Sequence, residues 1–125
     1  MSAEVAALAR RFFDAIEAGD FTVVADCYAD DAVIWHNTDR LDSSKAENLE
    51  VLANFVKNVP VRRYEDRRLA VTADGFVQQH VLVCPRTDGT RRELPAAIVC
   101  EVRDGRITRL DEYFDSSQLA AWRRS

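Results

Sequence analysis

The chain has 125 residues, is 47% hydrophobic and 30% charged, and carries a net charge of -4. This is the composition of a soluble globular protein with one domain, residues 1–125, long enough to bury its own core. The acidic balance gives no reason to expect nucleic acid or a membrane surface as partner, and no stretch approaches the ~20 apolar residues of a membrane span. The residues after Met1 carry charges throughout and do not read as a signal segment. Cys27, Cys84 and Cys100 are odd in number and form no C-x-x-C pair, which fits reduced thiols in a cytoplasm.

Val5, Leu8, Phe12 and Ile16 recur at helical spacing, with Ala9 and Phe13 widening the stripe. The pattern predicts a first helix of about 14 residues, ended by Gly19. Asp20 is a suitable N-cap for a short second helix through Tyr28, burying Val24 and either Cys27 or Tyr28. Ala29-Asp30-Asp31 should break that helix, Ala32 to Asn37 reads as a strand, and Thr38 to Ser43 as a polar loop. Ser44-Lys45-Ala46-Glu47 is a capping-box pattern. The helix that it opens should bury Leu49, Leu52, Phe55 and Val56 and end before Pro60.

Four strands are predicted next: Val61 to Thr72, Phe76 to Cys84, Leu94 to Val102 and Ile107 to Phe114. Asp74-Gly75, Asp88-Gly89 and Asp104-Gly105 supply turns between them. Helices first and strands afterwards predict an α+β fold with an antiparallel meander. Within the basic segment, Arg62, Arg63, Arg67 and Arg68 alternate with Glu65 and Asp66 and should form a solvated strand face. Leu119 and Trp122 in the tail should cover a pocket mouth or pack on a partner subunit.

On the closing strand, Leu110, Glu112 and Phe114 share one face, while Arg109, Asp111 and Tyr113 share the other. The first set is the apolar one, so Glu112 is placed among hydrophobes. A carboxylate there is costly unless paired, hydrogen-bonded or protonated, and such positions serve either as structural ion pairs or as acid/base catalysts. Ile98, Cys100 and Val102 likewise give their strand an inward apolar face.

The chain resembles the nuclear transport factor 2-like superfamily, in its SnoaL-like and ketosteroid isomerase-like branch. The resemblance rests on Phe13 to Phe21, on Tyr28 to Asn37, on Asp104-Gly105-Arg106-Ile107 and on Glu112-Tyr113-Phe114-Asp115. It implies a cone-shaped, curved antiparallel sheet wrapped around three N-terminal helices, a deep apolar pocket and a homodimer paired through the outer sheet faces. The apolar odd positions Val77, Val81 and Val83 would otherwise face water.

For His36, alternation alone does not choose between an inward position and the rival inward set Val33, Trp35 and Asn37. The resemblance places His36 where ketosteroid isomerases carry their aspartate base, a role that an imidazole can fill. For His80, the face with Gln78 and Leu82 and the face with Val77, Val81 and Val83 look equally core-like. The resemblance turns Gln78 and His80 toward the pocket. His36, His80 and Glu112 are thus the acid/base candidates, with Gln78, Phe12, Trp35, Leu82, Ile98, Leu110 and Phe114 as pocket lining. A metal site made from His36, His80 and Glu112 lacks any supporting local motif, so neither metal nor organic cofactor is expected.

Two departures matter. The oxyanion-hole tyrosine and protonated aspartate of ketosteroid isomerases correspond to Phe12 and Ile98, which donate no hydrogen bond. The Arg-x-Asp pair of limonene epoxide hydrolases is missing from the Phe76–Cys84 strand. Two classes of function stay open: a cofactor-independent isomerase, cyclase or dehydratase acting on a small apolar carbonyl or polyketide-like compound, and a non-catalytic ligand-binding or dimerisation module.

Overall fold

The computed structural model describes residues 2–124. Helices α1 (Ser2–Ala18) and α2 (Phe21–Cys27) lead into strand β1 (Tyr28–His36). A short β2 (Asp42–Ser44) precedes helix α3 (Lys45–Asn58). Strands β3 (Arg63–Val71), β4 (Gly75–Pro85), β5 (Arg91–Arg103) and β6 (Arg106–Phe114) follow, and helix α4 (Ser116–Arg124) ends the chain. The six strands form one curved, unclosed sheet in the order β2-β1-β6-β5-β4-β3. All neighbours are antiparallel except β1 and β6, which run parallel. Parallel pairing needs a long connection, and here most of the chain supplies it.

The concave face carries the core. Phe12, Phe13 and Ile16 of α1 pack with Val24, Cys27, Tyr28 and Ile34, and with Phe76, Ile98, Cys100 and Leu110 of the sheet. Two T-shaped contacts, Phe12 with Tyr28 at 5.2 Å and Phe13 with Tyr64 at 5.1 Å, join the helix to the sheet. Both Cys27 and Tyr28 are buried, so the alternative between them dissolves.

Several local expectations change. The first helix has 17 residues, reaching back to Ser2. Ala29-Asp30-Asp31 is strand rather than break, because β1 already starts at Tyr28, with an irregularity in its pairing before Val33. Part of the polar loop pairs with β1 as β2. The capping box at Ser44 and Glu47 is formed in full, yet only Asn48 of α3 is fully buried. Leu49, Leu52, Phe55 and Val56 are half-buried, because α3 rests on β1, β2 and α2 and has no layer over its other side.

The basic segment is not uniformly solvated. Arg62 is buried, and its guanidinium donates to Ile16 O at 3.0 Å and Val59 O at 2.8 Å, satisfying carbonyls at the ends of α1 and α3. Arg67 pairs with Asp14 and Glu17 of α1, while Arg63 and Arg68 are exposed. The outer sheet face also differs from expectation. Val83 is fully buried, and Val77 and Val81 are half-buried. Val83 lies between Arg63 and Glu93 in the sheet, at the end where Arg91 pairs with Glu65 and Glu93. Long charged side chains cover a small hydrophobe there. The exposed apolar residues of that face are instead Val99 and Tyr113.

Candidate functional site

The parallel β1–β6 pair sets His36 directly opposite Glu112. Their side chains meet, His36 Nε2 to Glu112 Oε1 at 3.0 Å, with 26% and 17% of their side-chain surfaces exposed. His36 also stacks on Phe114, with parallel rings 6.0 Å apart. Asn37 fastens this corner. Its Nδ2 donates to Phe114 O and its Oδ1 accepts from Phe114 N, both at 2.9 Å, while Asn37 N donates to Glu112 O at 3.0 Å. An amide side chain thus continues the ladder where β1 ends.

The hydrogen bond that His36 Nε2 donates to Glu112 holds the His36 pKa above its usual value; partial burial opposes this, and the charges of Glu112 and Asp39 add to it. The upward shift favours the protonated form of a half-buried imidazole beside a carboxylate.

His80 stands apart from that pair. It is 4% exposed. The Gln78 amide nitrogen lies 2.9 Å from His80 Nδ1 and donates to it. The ring sits among aromatics, 4.6 Å from Tyr64 and 5.1 Å from Phe13. Burial, reinforced by the Arg67 charge, pushes its pKa down to about 4, so it is neutral at physiological pH. Burial raises the Tyr64 hydroxyl pKa, and the Glu112 charge raises it further. The buried Tyr28 hydroxyl donates to Asn48 Oδ1 at 2.8 Å.

The remaining expected lining residues divide. Leu82 and Phe114 are half-buried on the concave side, whereas Phe12, Ile98 and Leu110 are sealed in the core. Trp35 is not part of the lining. It packs against Tyr113 on the outer face at 5.3 Å, because alternation puts it opposite Ile34 and His36. Sequence reasoning missed Tyr64, which hid inside a segment dominated by arginines, and Asn48 and Asn37, whose roles depend on partners far along the chain. Asn37 left one signal, a polar residue ending a strand that otherwise reads apolar.

Two cavities are formed elsewhere. One, of about 730 Å³, lies among charged residues including Arg11, Asp26, Lys45 and Arg106. The other, of about 470 Å³, is lined by Val5, Leu8, Val71 and Val102 among others. Neither touches His36, His80 or Glu112, so the site around Glu112 is a half-buried corner of the concave face. Among the described residues no group of three or more His, Cys, Asp or Glu has an arrangement suited to a metal ion, and none of their helices is long and apolar enough to cross a membrane.

Solved structures of the same shape include IdmH from Streptomyces antibioticus, a candidate polyketide cyclase. It superposes with a TM-score of 0.84 at 18% identity, over 97% of this chain and 99% of that one. AclR from Streptomyces galilaeus, a candidate hydroxylase, gives 0.83 at 15% identity, over 97% and 85%. TerC, co-crystallised with polyporic acid, gives 0.82 at 17% identity, over 98% and 99%. Among curated proteins none matches the chain. The model of the SnoaL-like domain matches residues 9–110, and with that span, the helices ahead of the sheet and the parallel β1–β6 closure, the chain belongs to the SnoaL-like domain family.

Proposed function

We propose that the protein binds a small, largely apolar carbonyl or polyketide-like compound on the concave face and moves a proton on it with the His36–Glu112 pair. It would then act as a cofactor-independent isomerase, cyclase or dehydratase. The observation that carries this reading is the 3.0 Å contact between an imidazole and a carboxylate that are both half-buried on the apolar side of the sheet. A carboxylate already paired with imidazolium has a second oxygen free to take a proton from a carbon beside a ketone. The C–H electron pair then moves to the carbonyl oxygen, giving an enolate. Return of the proton at another carbon completes an isomerisation; attack of the enolate carbon on a second carbonyl of the same molecule breaks that C=O π bond, and the resulting alkoxide takes the proton back from Glu112 to complete a cyclisation. The polyketide cyclase candidate and the ligand-bound TerC among its structural neighbours support a small-molecule substrate. We also place the protein in a homodimer and in the cytoplasm, the first supported by the exposed Val99 and Tyr113 of the outer face.

A second reading, a non-catalytic ligand-binding module of the same fold, is favoured by the sealed, non-donating Phe12 and Ile98. One experiment separates the two. Proton NMR of 2-tetralone in deuterated buffer reads exchange at the carbons beside the ketone. Wild type should speed this exchange over buffer, and Glu112→Gln, which keeps the shape and removes the charge, should lose at least about 100-fold of that acceleration. Exchange that is no faster than in buffer, or that survives the substitution, would favour the binding module.

A further inference from the structure

One buried donor on the concave face lacks a partner. His80 accepts at Nδ1 from the Gln78 amide, so its single proton sits on Nε2. That Nε2 is buried and makes no hydrogen bond. Leaving a buried donor unpaired costs about 1–3 kcal/mol, and most buried polar groups are satisfied. The Tyr64 ring lies beside it, its centre 4.6 Å from that of His80.

Their position relative to the acid/base pair follows from the sheet register. On β5, Ile98 is paired with Glu112 on one side and Gln78 on the other, and Ala96 with Phe114 on one side and His80 on the other. Strands lie ~4.8 Å apart, so about 10 Å, spanned by Ile98 and Ala96 of β5, separates the β6 row from the β4 row. That spacing suits a small fused-ring compound, with its oxygen at one end and its acidic carbon at the other.

We propose that His80 Nε2–H and the Tyr64 hydroxyl receive the ketone oxygen of the substrate and so orient its acidic carbon toward Glu112. This inference takes its substrate class from the proton-transfer reading above. It supplies the hydrogen-bond donors that Phe12 and Ile98 do not provide. A neutral imidazole stabilises a developing enolate oxygen through a fixed dipole in a water-poor site. Gln78 is then a positioning residue, since its amide sets which ring nitrogen carries the proton.

The test uses 2-naphthol, a flat mimic of the enolised ketone, with full-length protein labelled with nitrogen-15. On titration to about 1 mM, weak binding by the usual scale, the His80 Nε2 resonance of wild type should move and saturate. His80→Phe and Tyr64→Phe should each weaken binding, the former by about tenfold, as expected for loss of one well-placed hydrogen bond. Glu112→Gln should retain binding. A failed proton-transfer reading would appear as unchanged tetralone exchange in Glu112→Gln, with naphthol binding still dependent on His80. The donor proposal falls if wild type does not bind 2-naphthol, if His80 Nε2 does not move at saturation, or if both variants bind as wild type does. Should His80→Phe fail to fold, the wild-type spectrum and Tyr64→Phe decide.

Discussion

At the scale of single residues, the two histidines, on β1 and β4, have proton affinities shifted in opposite directions, and each leaves its mark on stability. His80 is held at about 4 against an ordinary 6.5. Between those values the unfolded chain binds a proton that the folded chain refuses, so stability falls as pH falls, by on the order of 3 kcal/mol at pH 4. His36 is shifted upward. Its contribution is fully present below 6.5 and is lost as pH rises through its folded value. The two shifts act in opposite senses, His80 costing stability toward acid pH and His36 losing its contribution toward higher pH. Urea unfolding at pH 5 and pH 7 should show wild type weaker at the lower pH, and His80→Phe should lose most of that difference; an equal slope in the two proteins would rule out His80 as its source. Of this chemistry, Glu112 was legible as a carboxylate in an apolar alternation. The inward positions of His36 and His80 were not, because neither strand's hydropathy separates its two faces. The tautomer of His80 depends on Gln78, two residues away on the same face, a contact that sequence spacing permits but does not require.

At the scale of elements, the site depends on how β1 ends against β6. Asn37 makes two side-chain hydrogen bonds to the Phe114 backbone at that corner. Asn37→Ala should cost about 1–3 kcal/mol and also lower the His36 pKa, because the imidazole would no longer be fixed over Glu112. Thermal unfolding and histidine NMR titration measure the two effects. A variant that loses stability with an unchanged His36 pKa would show that the corner braces the sheet without aligning the pair. The capping box at Ser44 was readable because its two partners are three residues apart. The burial of Arg62 was not, because its carbonyl acceptor Ile16 lies two helices and two strands away in sequence. Local rules recover local contacts. Long-range satisfaction of polar groups overrides the hydrophilic look of a segment.

At the scale of the whole molecule, the order of the first three helices and the five longer strands was evident from periodicity and turn chemistry, whereas β2, α4, the covering of Val83 and the exposure of Val99 and Tyr113 required the neighbours of each element. The homodimer proposal therefore rests on a different patch from the one that hydropathy suggested. Sedimentation at about 50 µM, where interfaces of modest affinity are populated, should give a dimer, and Val99→Arg should shift it toward monomer without unfolding it. Monomer in wild type at that concentration would remove the proposal. The parallel pairing of β1 with β6 also orders events during synthesis. The histidine emerges from the ribosome long before its carboxylate, and until the last strand docks, both β1 and β5 offer an unpaired edge to any other chain nearby. A protein cut short before Arg106 would lack Glu112 and would also carry two sticky edges, so premature termination should produce aggregates rather than an inactive but soluble fragment.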